Sequence, residues 1–509
     1  MYNNRYRSRI FFIGLLLAMT AGACKKSFID GQKPTNSGSA GQVFASASSV
    51  RSYFTGIYRN LRLQWQSTDG SAGGSDDTYS YNSIFLTRVV KGKDITMPRA
   101  NWYYFDYQND NRDPTFRRVR FTWYYFYELI NQVNTLIDGT QKSTTIADND
   151  KTRLIAEARA LRAFFYFELA REFQLSYGKD PNAPGVPIYT APSNETTTGN
   201  PRGTLQQTYD QINSDIGYAL QNLSASRTLK DQVNINVAWG LAARIYLEQG
   251  KWADAEDAAV HAREGYALDA DGYHNNYNGL TSPEVIWGLP QTLGNGGQSL
   301  YYGTPSSFFD QTQASAYHAF WMSEELVSQF SATDARFTFF QTGADPGQPN
   351  FCATNKFGKG NGTTVTLLNG QDVEQNSVDF EESINMMRVG EMYLVQAEAL
   401  ARQNKETDAQ EVLFQLQKNR DDALAGSSGN TGQALIDEIL LERRKELYGE
   451  MGVDWLDAKR LQLSIDRTGS NHAPALAYVI PANDPRFNLK IPQSEMQANK
   501  SLKPGDQNP

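Results

Sequence analysis

The chain has 509 residues, with 48 Lys and Arg against 56 Asp and Glu, giving a formal net charge of −8. No basic block occurs to neutralise phosphates, so the balance excludes a nucleic-acid binder. The only cysteines are Cys24 and Cys352, which leaves stability to a large apolar core rather than to a disulfide framework.

Arg5, Arg7 and Arg9 precede an apolar run from Ile10 to Ala18, and Ala21-Gly22-Ala23 then lead to Cys24. A basic end, a short apolar stretch and small residues make a secretory signal peptide over 1–23. The run is too short to span a bilayer. A small-residue triplet ending at cysteine also reads as a lipobox, with Cys24 lipidated; an ordinary cleaved leader with an incidental cysteine is the alternative. Loss of the leader removes three arginines and no acid, so the mature charge is near −11. Residues 24–45 are polar and rich in Gly and Ser, as expected of a flexible tether. The expected attachment is to a membrane, through the lipid on Cys24.

Helical periodicity begins next. Val50, Phe54, Ile57, Tyr58 and Leu61 fall on one face of a helix over 47–63, and Trp123 to Ile137 reads as another. Between Arg153 and Phe173, Leu154, Ala158, Leu161, Phe165 and Leu169 form a stripe, with Arg153, Glu157, Arg162 and Glu168 on the polar side. A helical hairpin follows: Ala238, Leu241, Ala242, Ile245 and Tyr246 on one helix, Gly250 as the stop, and Ala255, Ala258 and Ala259 on the next. Small residues let helices approach closely, and the pattern resembles a tetratricopeptide repeat. A second copy carries Tyr393, Leu394, Ala397, Leu400, Ala409 and Leu413. More than a hundred residues separate the copies, so irregular repeats with long inserts are expected. We divide the chain into an N-terminal helical region, 46–265, and a C-terminal region, 266–509.

The inserts, at about 64–118, 174–204 and 266–380, are dense in Gly, Asn, Asp, Ser and aromatics. Between Trp102 and Tyr127, twelve of twenty-six positions are aromatic, more than a short segment normally buries. Loops on a rigid scaffold are where binding residues usually sit. The four histidines show no metal-ligand spacing, and Gly358 to Gly362 makes a poor phosphate cradle. No metal or cofactor is expected. Asp76 and Asp77, adjacent on an extended segment, point to opposite sides and are not a catalytic pair. A sugar offers an apolar face for aromatic stacking and hydroxyls for polar partners. The candidate ligand residues are therefore Asp77, Trp102, Tyr103, Tyr301 and Trp321, drawn from a wider set with Trp65, Asp69, Asn109 and Tyr302. The early and late inserts are expected to converge on one face. Glu442, Glu446 and Glu450 read as a salt-bridged helix face.

An ordered series of stretches resembles the SusD/RagB family. It runs through Cys24 with Phe28 to Asp30, Tyr127 to Asn134, Glu157 to Ala163 and Val186-Pro187. It continues through Tyr209 to Ile216, the first hairpin, Glu284 to Trp287, Arg388 to Glu398, Glu442 to Leu447, Trp455 to Asp457 and Ile491 to Glu495. The resemblance implies a mainly α fold, with tetratricopeptide-like hairpins in a superhelical scaffold bearing a loop-rich ligand face. It also implies a nutrient-binding lipoprotein, with a glycan the expected ligand and a SusC-like TonB-dependent transporter the partner. Asp454 departs from the family, which often has Arg there. A glycoside hydrolase and a protein-binding repeat scaffold are the rival readings.

Overall fold

The computed structural model describes residues 40–194, 196–269, 279–291, 304–309, 312, 317, 319–342, 352–358, 360–366, 370, 372–376 and 382–509. Cys24 and the leader, and Tyr301 and Tyr302, lie outside them.

The architecture is mainly helical. Helix α1 (Ala47–Arg62) starts at Ser46, whose Oγ accepts from the Ser49 amide at 3.1 Å, and it buries the expected stripe from Val50 to Leu61. Helix α2 (Tyr81–Lys91) lies inside a stretch read above as insert, and all its side chains are buried. A helix covered on every side has no polar face, hence no periodicity to detect. The long helices α3 (Arg117–Lys142) and α4 (Asp148–Phe173) pack as an antiparallel pair, with α5 (Leu205–Asn222) against α4. The polar side expected of α4 is corrected: Glu157, Arg162 and Glu168 are buried. Each has a charged partner: Glu157 accepts from Arg51 at 2.6 Å, Arg162 donates to Asp215 at 2.7 Å, and Glu168 accepts from Arg88 at 2.5 Å.

The first repeat hairpin is α6 (Ile235–Gln249) and α7 (Trp252–Ala262). Gly250 between them has φ of 68°, the left-handed conformation that ends a helix without a Cβ clash. The second hairpin is α8 (Val389–Arg402) and α9 (Glu406–Arg420), and α7 packs directly on α8. Repeats separated by over a hundred residues in sequence are thus neighbours in the stack. Helices α10 (Gly432–Leu447) and α11 (Val453–Arg460) extend it. Tyr246 is only half-buried, with Lys251 Nζ 5.6 Å from its ring, so it seals the hairpin edge rather than its centre.

Six short strands serve the site: β1 (Ile95–Thr96), β2 (Val285–Leu289), β3 (Trp321–Met322), β4 (Phe340–Thr342), β5 (Cys352–Thr354) and β6 (Ile384–Arg388). An antiparallel sheet of order β1-β3-β5-β4 pairs Thr96 with Trp321 and so ties the early insert to the late one. Strand β2 pairs with β6, which leads the chain into α8.

The acids at and just beyond the end of α10 are salt-bridged, as expected, but mostly to distant partners and not along an open helix face. Glu442, Glu446 and Glu450 are buried, not a solvated face. Glu446 accepts from Arg336 at 3.0 Å and from Arg388 and Arg420 at 2.9 Å; Arg388 also holds Glu450 at 2.8 Å and Glu284 at 2.9 Å. Burial alone would raise the Glu446 carboxyl, but Arg420 and Arg388 reverse this and hold it well below the usual range.

Candidate ligand-binding face

The segment from Asn101 to Arg118 sorts its aromatics by helical spacing. Tyr104–Tyr107 forms one helical turn. Tyr103, Asp106 and Tyr107 point inward and are buried, while Trp102 and Phe105, three apart, are 39% and 61% exposed. Phe116, at the start of α3, is 43% exposed. Three of the seven large hydrophobics exposed among the described residues therefore fall within fifteen positions. Single exposed apolar residues are ordinary; a cluster beside a fixed charge is a surface built to be covered.

Arg117 supplies that charge. Its guanidinium lies 5.3 Å from the Trp102 ring centre, and its Nε and Nη2 donate to Asp77 Oδ2 at 3.2 and 3.1 Å. Asp77 is buried and also lies 3.7 Å from Arg118, which is itself paired with buried Asp106 at 3.2 Å. The order of support runs from Asp106 through Arg118 and Asp77 to Arg117, and then to the indole. Asp77 therefore positions the platform from beneath, rather than presenting a free carboxylate. Its neighbour Asp76 accepts from the Tyr317 hydroxyl at 2.8 Å, so the two acids do serve different partners.

Tyr103 and Trp321 do not share the exposure of Trp102. Tyr103 is fully buried, with edge contacts to Phe308 at 5.1 Å and Phe320 at 5.7 Å. Trp321, in β3, is fully buried as well. With no open ring face, neither can stack on a sugar in this conformation, so their place as direct contacts is revised to support of the face. Apolar burial outweighs display here, because the sheet and the Phe308–Tyr317–Phe320 stack close over both rings. Trp65 is buried against Phe121 and Tyr125, Asn109 is buried, and Asp69 is an exposed turn acceptor for Ser67 and Ser71. The early and late inserts do meet, through the Asp76–Tyr317 bond, the Tyr103 packing and the Thr96–Trp321 pairing.

Phe105, Phe116 and Arg117 were not singled out from sequence. The three-residue spacing of Trp102 and Phe105 was the available signal. Among the described residues, no His, Cys, Asp and Glu group is arranged to hold a metal ion, and no helix is long and apolar enough to cross a membrane.

The chain is a mainly helical repeat scaffold whose inserts expose aromatic side chains, and comparison with known proteins narrows its class. Residues 73–247 match a SusD-like family described as starch-binding and associating with the outer membrane, and residues 353–509 match the SusD family. The chain belongs to the SusD/RagB family. A SusD-like protein of Formosa agariphila is 26% identical over 415 residues, covering 72% of this chain and 76% of that one. A SusD superfamily structure from Bacteroides thetaiotaomicron is 26% identical with a TM-score of 0.76, covering 91% of this chain and 100% of that chain. A SusD-like carbohydrate binding protein from Bacteroides vulgatus, at 23% identity, shares the fold with a TM-score of 0.77 over 92% of this chain and 99% of its own.

Proposed function

We propose that this protein is a lipid-anchored outer-membrane protein that binds glycans without cleaving them and passes them to a SusC-like TonB-dependent transporter. The observation that carries the binding assignment is the exposed ring of Trp102, with Arg117 clamped beside the indole by buried Asp77 and with Phe105 and Phe116, near it in sequence, exposed as well. Ring faces can stack on the apolar side of a pyranose, while Arg117 is half-exposed and free to donate to its hydroxyls. Titration of the purified chain with oligosaccharides tests this. Trp102→Ala should weaken binding about 5- to 30-fold, the loss of one desolvated stacking contact. Full affinity in that variant would place the glycan elsewhere.

The anchor is proposed from the sequence of the leader and is tested separately. Cys24→Ser should move the protein from the membrane to the soluble fraction of cells; continued membrane attachment would remove lipidation from the reading.

A further inference from the structure

Helix α3 carries a second stripe, distinct from the face it buries. Tyr124, Tyr127, Glu128 and Asn131 follow one another at helical spacing and are half-buried. With Tyr189, which follows the strand Pro184–Pro187, and Glu495, on the short helix Gln493–Ala498, they line a recess of about 300 Å³. That is the small end of ligand pockets and has room for about one sugar ring.

Hydrogen bonding inside the recess decides what it can still offer. The Tyr124 hydroxyl donates to Ser494 at 3.1 Å, that of Tyr127 to the Pro187 carbonyl at 2.8 Å, and that of Tyr189 accepts from the Asn200 amide at 2.9 Å. Asn131 is engaged with the backbone of Ser193 through both its oxygen, at 2.7 Å, and its nitrogen, at 3.3 Å. What remains includes ring surface, two carboxylates and the polar edge of Ser193, Asn194 and Thr197. Glu128 is met only by Thr68, through its backbone and through its hydroxyl at 3.4 Å; Glu495 accepts from Asn499 at 3.0 Å and from the Trp123 side chain. Neither acid pairs with Arg or Lys, and none of the described lining residues is basic. Glu157, Glu168 and Glu446, by comparison, are buried acids that each have an arginine partner.

We propose that this recess is a second ligand site, for an amino sugar whose amine is free and protonated. Tyrosine ring faces attract a cation, a carboxylate of the lining supplies its counter-charge, and the ring faces also fit the apolar side of the sugar. Burial raises both carboxyl groups above their ordinary range, and a bound ammonium would relieve that cost. The site stands apart from the Trp102 platform and does not depend on the assignment made there.

The test is a titration of the full chain, at about pH 6.5 so that the amine is charged, with glucosamine, N-acetylglucosamine, glucose and lysinamide. Glucosamine should bind about tenfold or more tighter than either neutral sugar. Glu128→Gln and Glu495→Gln should each remove about fivefold or more of that preference without moving Tm. Equal affinity for the three sugars, no binding of glucosamine at millimolar concentration, or indifference to both substitutions would overturn the proposal. Lysinamide binding as tightly as glucosamine would overturn the amino-sugar assignment and leave a site for amines in general.

Discussion

A tryptophan at the rim of an insert can turn its ring outward or inward, and its neighbours decide which. Trp102 has Arg117 at its side and solvent beyond; Trp321 has a strand on either side and is fully covered. The same substitution should therefore read out differently at the two positions. Trp102→Ala should change affinity and leave Tm nearly unmoved, whereas Trp321→Ala should cost about 3–5 kcal/mol of stability through the cavity it opens. Thermal melts beside the titrations check this, and a Trp321→Ala protein with unchanged Tm would contradict the packing described. Neither fate was legible in the sequence, because composition marks an aromatic as interesting without saying which side of its loop is wet.

Asp454 is half-buried, and none of the described residues forms an ion pair with it. Its carboxylate accepts from the amides of Lys93 and Asp94, at 2.8 and 3.2 Å, beside Gly92, where a Cβ would lie 1.7 Å from its oxygen. Burial and then the charge of Asp94 push its carboxyl up to about 7. A carboxyl raised in the folded state contributes stability below its unfolded value, near 4, and loses it as pH rises through the folded value. Asp454→Asn keeps the acceptor and removes the charge. Its stability relative to the parent should rise between about pH 4 and pH 7, by about 1–3 kcal/mol. Denaturant melts across that range measure the difference, and a gap independent of pH would show that Asp454 stays ionised.

At the scale of elements, the amphipathic helices were readable and the buried ones were not. The stripe of α1 and the two repeat hairpins stand in the sequence because one face is apolar and the other polar. Helix α2 has no such contrast. The acids of α10 mislead for a different reason: charged residues at helical spacing usually face water, and here long-range arginines from β6, α9 and the 3-10 turn Ala335–Phe339 bring the compensating charge inside. Arg388→Met should cost about 3–5 kcal/mol, since it strands Glu446, Glu450 and Glu284 with fewer cations than they need. A loss below about 1 kcal/mol would mean that the cluster relaxes into water.

Across the whole molecule, the chain ends by returning to its first helices. The Leu489 amide donates to the Glu172 carbonyl at 2.9 Å, and Asn508 Nδ2 donates to that of Phe173 at 2.7 Å. Phe487, Leu489, Ile491 and Leu502 are buried there. Each contributes about 1.5–3 kcal/mol when covered. Removal of residues 486–509 should lower Tm by at least about 5 °C and keep a single calorimetric transition. Two separated transitions would mean that the regions before and after residue 265 unfold independently. Such returns join distant segments without any periodic mark, which is why the sequence indicates helices and repeats but not how the ends close.

One residue holds both margins of the long insert. The Glu284 carbonyl accepts from the Val389 amide and its Oε1 from the Asp269 amide, each at 2.9 Å, so a stretch of some 120 residues leaves and rejoins the stack at one point. Closing so long a loop costs about 4 kcal/mol of entropy, only slightly more than a loop half as long. Added length between fixed points of this stretch is therefore cheap. Trp321, Arg336 and Arg388, by contrast, lie inside the clasp and are held by the sheet and the acid cluster; they are the points through which the helices on either side keep their seam.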